Sequence, residues 1–272
     1  MGLRRPVFVL SGGAARGAAH LGFLAASEAA GVTPKAIVGA SAGALMGALY
    51  SSWDCTTATP WERLKTLGYG DILRFAFSKK GIFSSGHLCQ VIREALGKKS
   101  FEELPVPMYA VATNWSTHSL EILDSGDLAE GLAASCALPP IFTPVVRSGF
   151  EYLDGGVLSI LPISSARHVF PTDLLIAVNV NAITPRNDGG KKGGSRGREE
   201  NWISMALGPL WLSIERSIQI EQTFADFTLP IPAGDYPLFS LRFIEKTYAL
   251  GYDEGMQFFH RRDVQERIYV GE

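Results

Sequence analysis

The chain has 272 residues, 46% of them hydrophobic and 19% charged, enough apolar material to bury a substantial core and a composition ordinary for a globular protein. The formal net charge is −2, with no basic field of the kind that nucleic acid requires, so that class of partner is set aside. No composition shift divides the first 180 residues, and one domain over 1–272 is expected.

Residues Met1–Arg5 precede an apolar run of only Pro6–Leu10, too short for a signal-peptide core or a membrane span. The fold is therefore expected to start near the first residue. The three cysteines, Cys55, Cys89 and Cys136, form no CxxC pair and read as reduced, buried thiols of a cytoplasmic protein.

In chain order, Val7–Leu10 predicts a buried strand that ends in Ser11-Gly12-Gly13, and Ala14–Ala30 predicts a helix stopped by Gly31. Ala36–Val38 predicts a second strand and Ala42–Ser51 a second helix, a βαβα unit with a parallel strand pair. Thr56–Gly97 reads as helical with breaks. Met108–Thr113 predicts a strand paired with Ser119–Leu123, and Leu128–Ser135 a helix running into Leu138-Pro139-Pro140. A hairpin about Ser148-Gly149 joins Pro144–Arg147 to Glu151–Leu153, and Leu174–Val180 is a further buried strand. The sum is an α/β fold of three layers, a mixed, largely parallel sheet with helices on both faces. Thr184–Glu200 is glycine-rich and basic, and predicts a flexible loop. Beyond it, Trp202, Met205, Leu207, Leu210, Trp211, Ile214 and Ile218 recur at helical spacing, and Tyr248–Phe259 also reads as helix.

Three short motifs carry chemistry. Gly39-Ala40-Ser41-Ala42-Gly43 is a GxSxG at a strand-to-helix junction, where a sharp turn pushes a serine Oγ out of the packing; a plain turn of small residues is the competing reading. Gly12-Gly13-Ala14-Ala15-Arg16-Gly17 opens a helix, so its backbone N–H groups face any anion placed there. It lacks the Gly-Lys-Ser/Thr of a P-loop, and Ala14 stands where a dinucleotide fingerprint needs its second glycine. Asp154-Gly155-Gly156 follows the apolar Tyr152-Leu153 and, taken alone, reads as a hairpin end; it becomes informative only alongside the other two.

Together and in this order the three resemble the patatin-like phospholipase family. Leu10–Gly22 resembles its oxyanion segment, Val38–Leu45 its nucleophile elbow, Ala134–Phe142 the stretch before its aspartate, and Tyr152–Pro162 the aspartate motif; the likeness runs through about 6–180. The resemblance implies a patatin-like α/β/α fold and hydrolysis of lipid esters through a Ser-Asp dyad and an acyl-enzyme. It makes Ser41 the nucleophile and Asp154 the general base, flanked by Gly155 and Gly156, with Gly39 and Gly43 shaping the elbow. It assigns the oxyanion hole to Gly12, Gly13 and Ala14, steadied by Arg16. Ala14 departs from the family, which commonly has glycine there; if φ is positive, alanine adds about 1 kcal/mol or more of strain.

Two other readings stay open. A Ser-Asp-His hydrolase would add His168 or His260 to the pair, although both lie in polar, surface-like contexts. A lipid-binding module of the same fold with little turnover is the other. No residue spacing proposes a metal or cofactor. The expected partner is a lipid ester. Residues 186–198 and 202–218 either pack as loop and core helix or form a basic flap that docks on an anionic membrane.

Overall fold

The structure, a computed structural model, describes residues 2–66, 84–184 and 213–270. Its centre is a sheet of eight strands, β2 (Val7–Leu10), β3 (Ala36–Ala40), β4 (Met108–Asn114), β5 (Ser119–Leu123), β6 (Val145–Arg147), β7 (Phe150–Asp154), β8 (Leu175–Asn179) and β9 (Phe227–Pro230). A separate two-strand ladder pairs β1 (Gly2–Leu3) with β10 (Tyr269–Val270). The helices are α1 (Ala18–Ala29), α2 (Ala42–Ser52), α3 (Ala58–Thr66), α4 (Ser85–Ala95), α5 (Leu128–Ser135), α6 (Ile163–Val169), α7 (213–221), α8 (Ile244–His260) and α9 (Arg262–Ile268).

The strands β9, β8, β2, β3 and the first half of β4 run parallel. The near-continuous apolar sequences of β8, β2, β3 and β4 follow from burial on both faces. In β2, Phe8 and Leu10 enter one core with residues of α1, α2, α5 and α8, while Val7 and Val9 enter a second with Ile163 of α6 and Ile214 and Ile218 of α7. Helices therefore cover both faces. Local signals set the ends of elements: Asp127 accepts from the Glu130 amide at 2.8 Å to cap α5, and Ser148 and Gly149 take φ of 51° and 84° in the tight β6–β7 turn.

The register of β4 decides where the site forms. Ala110 pairs with Gly39 and Leu123, and Ala112 pairs with Glu121 and Asp154. Since each residue has two edges, β5 occupies one edge of β4 while β3 and β7 share the other. β3 pairs as far as Ala40 opposite Val111, and β7 arrives at Asp154 opposite Ala112. The carboxyl ends of these two strands thus meet head to head.

α1 and α8 cross with their backbones in contact. A methyl on Gly22 would lie 2.0 Å from the Tyr248 carbonyl oxygen, and one on Gly251 1.9 Å from that of Ala19. Beneath the crossing, the Phe23 ring sits 5.0 Å from Phe8 and 5.5 Å from Phe259.

Some expectations change. Ala14–Gly17 is a turn of 3-10 helix before α1 starts at Ala18, so the helix does not run unbroken from Ala14. β9 and α9 carried no sequence reading. The three cysteines are free but only part-buried. Ile214 and Ile218 pack into the core; the basic loop residues and Trp202–Trp211 lie outside the described residues, as does 67–83 within the helical stretch after Thr56. No helix among the described residues is long and apolar enough to cross a membrane.

Replacing Gly251 by alanine forces the α1–α8 crossing apart and is expected to cost about 1–3 kcal/mol. Urea denaturation checks this; an unchanged midpoint contradicts the packing described.

Candidate active site

Ser41 sits between β3 and α2 with φ 51° and ψ −122°, a conformation that stores roughly 1–3 kcal/mol in a non-glycine residue. The turn is this tight because both flanking glycines have backbone against them. A Cβ on Gly39 would lie 2.6 Å from the Ala44 nitrogen, and one on Gly43 2.3 Å from the Leu10 carbonyl oxygen. The Ser41 amide donates to Ser135 Oγ at 2.9 Å, and that hydroxyl donates to the Val111 carbonyl at 2.6 Å. The end of α5 thereby pins the elbow to β4. The positive end of α2 also points at this turn.

Asp154, 2% exposed, closes β7 opposite. Ser41 Oγ donates to its Oδ2 at 2.7 Å, and the Gly156 amide donates to Oδ1 at 2.7 Å. Its backbone is held as firmly: its amide donates to the Ala137 carbonyl and its own carbonyl accepts from Thr113 Oγ1, both at 3.0 Å. Burial disfavours the anion and pushes the carboxyl up to about 6, against the pull of the Ser41 and Gly156 hydrogen bonds.

The glycine loop lies beside the elbow, since a Cβ on Gly12 would come within 3.3 Å of Ser41 Cβ. The Gly12 amide already donates to the Ile160 carbonyl at 2.8 Å and is not free to meet an oxyanion, a correction to its expected place in the hole. The Gly13 and Ala14 amides donate to no group among the described residues. Ala14 has φ 47°, the left-handed value at which alanine is strained.

Arg16 reaches the Tyr236 carbonyl at 2.9 Å, the Gly234 carbonyl at 3.1 Å and Asn181 Oδ1 at 3.3 Å. Burial lowers it to about 10, so it stays cationic at neutral pH. Asn181 also donates to the Gly12 carbonyl at 2.8 Å. Beneath the loop, His20 is fully buried with Nε2 2.7 Å from the Ser11 carbonyl. Burial depresses it to about 4, so it is neutral and Nε2 carries the donated proton.

Ser135, Thr113, Asn181 and His20 were not singled out from the sequence. None carries a motif of its own, and only its hydrogen bonds reveal it. Among the described residues, the Asp154 carboxylate accepts from Ser41 and Gly156 alone, so no histidine completes a triad. His168 and His260 are exposed. No cluster of metal-ligating side chains occurs among the described residues.

The same arrangement of loop, elbow and aspartate falls inside a match to a profile described as patatin-like phospholipase, over residues 8–167. The chain belongs to the patatin-like phospholipase family. It is 32% identical over 183 residues to the neuropathy target esterase sws of Drosophila melanogaster, covering 64% of this chain and 13% of that protein. An uncharacterized NTE family protein of Mycobacterium bovis is 31% identical over 200 residues, 72% of this chain and 53% of its own length. The chain thus spans about half of the mycobacterial relative and a small part of the fly one. In fold it is similar to VipD from Legionella pneumophila, with TM-score 0.56 and 15% identity, over 94% of this chain and 67% of that one. The patatin-like match holds Ser41 and Asp154, yet the groups that anchor Arg16, at Asn181, Gly234 and Tyr236, lie beyond it.

The raised carboxyl of Asp154 has a consequence for stability. The proton is held more tightly in the folded state, so its stabilisation is full below about 3.8 and is lost as pH rises through about 6. At neutral pH the buried charge costs about 3 kcal/mol. Asp154→Asn is therefore expected to unfold at higher urea than the wild type at pH 8, with the gap closing toward pH 4. Equal midpoints at pH 8 would contradict the burial of charge.

Proposed function

We propose that the chain is a lipid acyl hydrolase that cleaves carboxylic esters through a Ser41–Asp154 dyad and an acyl-enzyme. The observation that carries this reading is the 2.7 Å hydrogen bond from Ser41 Oγ to a buried carboxylate, beside a glycine loop whose Gly13 and Ala14 amides donate to no group among the described residues. Family membership supports lipid esters as the substrate class.

In the proposed reaction, Asp154 Oδ2 takes the Ser41 proton as Oγ attacks the ester carbonyl. The Gly13 and Ala14 amides receive the negative charge that develops on the carbonyl oxygen, each worth about 3–4 kcal/mol in the transition state. Collapse expels the alcohol, which takes the proton back from Asp154. Water then enters by the same route and releases the acid. A carboxylate serves as base here because desolvation narrows its mismatch with a serine hydroxyl, and because Gly156 holds Oδ1 while Oδ2 faces the proton. The strained elbow keeps Oγ out of the core and in line with the carboxylate.

Ser41→Ala and Asp154→Asn are each expected to lower ester hydrolysis by at least about 10⁴-fold with the fold retained by circular dichroism. Substantial turnover in either defeats the dyad. His168→Ala and His260→Ala should leave most activity, and EDTA should not inhibit. Because the base must be ionised, kcat/KM is expected to rise with pH through an apparent pKa near 6 and then level off. A flat profile from pH 5 to 8 would remove Asp154 from the role.

A further inference from the structure

Successive peptide groups make up the glycine loop. In a planar peptide the carbonyl of one residue and the N–H of the next point opposite ways, so whatever holds the carbonyl also aims the N–H. The group joining Ser11 to Gly12 is held at both ends: its carbonyl accepts from His20 Nε2 at 2.7 Å and its N–H donates to the Ile160 carbonyl at 2.8 Å. The group joining Gly13 to Ala14 is held by its own turn, in which the Arg16 amide donates to the Gly13 carbonyl at 3.0 Å. The group between them joins Gly12 to Gly13. With a glycine on either side, side-chain sterics impose little on its plane, and it can rotate unless something outside the loop grips it.

Asn181 supplies that grip. The parallel pairing of β2 and β8 continues past both strands, with the Ser11 amide donating to the Val178 carbonyl and the Val180 amide donating to Ser11 Oγ, each at 3.1 Å. This brings Asn181 beside Gly12, where its Nδ2 donates to the Gly12 carbonyl at 2.8 Å. Its Oδ1 accepts from Arg16 at 3.3 Å, and its backbone amide donates to Asn179 Oδ1 at 2.9 Å. A cationic donor on one side and a carbonyl on the other admit only this orientation of the carboxamide. Reversed, it would set an amide nitrogen against the guanidinium and an oxygen against an oxygen. The carbonyl end of the central peptide group is thereby pinned. Its other end is the Gly13 N–H, which donates to no group among the described residues.

We propose that Asn181 is a positioning residue for the hydrolysis: by holding the Gly12 carbonyl it aims the Gly13 N–H at the carbonyl oxygen of the ester. This rests on Ser41 being the nucleophile, and it adds to that reaction a residue outside the patatin-like match over 8–167. Negative charge develops on the ester oxygen only as Oγ attacks. A misaimed donor therefore raises the barrier and leaves ground-state binding nearly as it was. Asn181 acts through the peptide group and not on the reacting atoms.

The experiment compares wild type, Asn181→Ala and Asn181→Asp on p-nitrophenyl butyrate, with hexyl trifluoromethyl ketone as inhibitor. Ser41 Oγ adds to the ketone carbonyl carbon, Asp154 takes the Oγ proton, and the oxyanion so formed probes the hole. Asn181→Ala removes the grip and is expected to lower kcat about 10²-fold at nearly constant KM, with ketone inhibition weakened by about the same factor as kcat/KM. Asn181→Asp keeps the size and the Arg16 contact but sets a carboxylate oxygen against the Gly12 carbonyl oxygen, so it is expected to lose more than Asn181→Ala. A residue that only packs would give the reverse order, because aspartate is the closer match in shape. In Asn181→Ala, kcat/KM should still rise with pH through about 6, since Asp154 is untouched. The inference is overturned if kcat in both variants stays within about threefold of wild type, if Asn181→Asp is the more active of the two, or if the loss falls on KM with ketone inhibition unchanged. Ser41→Ala should lose turnover and ketone binding together. If it keeps both, the nucleophile falls and the inference with it; if it loses both while the Asn181 variants match wild type, the inference alone falls.

Discussion

One edge of β4 serves two strands, and the site exists because they meet on it. Parallel β3 uses the first half of that edge and antiparallel β7 the second, so Ala40 and Asp154 face consecutive residues, Val111 and Ala112. The residue after Ala40 is Ser41. Backbone ladders, with register set by buried alternation on both faces, thereby place a hydroxyl and a carboxylate at 2.7 Å although they are far apart in sequence. The segment 135–137 closes the joint from the α5 side, with Ser135 on the elbow amide and Ala137 on the aspartate amide.

Three local costs gather at this joint. Ser41 and Ala14 both take positive φ, and Asp154 buries an ionisable carboxyl. None is stable by itself, and each persists because rigid surroundings leave it no alternative. Gly39 and Gly43 let α2 approach the strand ends, the α1–α8 crossing fixes the helix that follows the glycine loop, and Arg16 ties that loop to residues 234–236. The C-terminal third of the chain, where no motif was legible, is thus bound to the geometry of the first.

Much of the fold could be read from the sequence because its signals are local. Val7–Leu10 is an apolar run ended by glycines, Leu128–Ser135 has its cap and its alanines, and Ser148-Gly149 has the turn chemistry of a hairpin. β9 was not legible, since Phe227–Pro230 is short and ends in proline, and its place at the sheet edge comes from pairing with β8. Of the site, the three glycine-bearing motifs were visible because close backbone approach demands glycine at fixed spacing. Which amides remain free was not, because the Gly12 donor is consumed by Ile160, a contact between distant segments. Ser135 was invisible for the same reason: a lone polar residue shows its purpose only through its partner.

The most direct test of the dyad and its two free amides is a crystal structure after reaction with an organophosphonate. The account predicts phosphorus bonded to Ser41 Oγ, with the phosphoryl oxygen about 2.7–3.1 Å from the Gly13 and Ala14 nitrogens. An adduct on another residue, or a phosphoryl oxygen turned away from both amides, would contradict it.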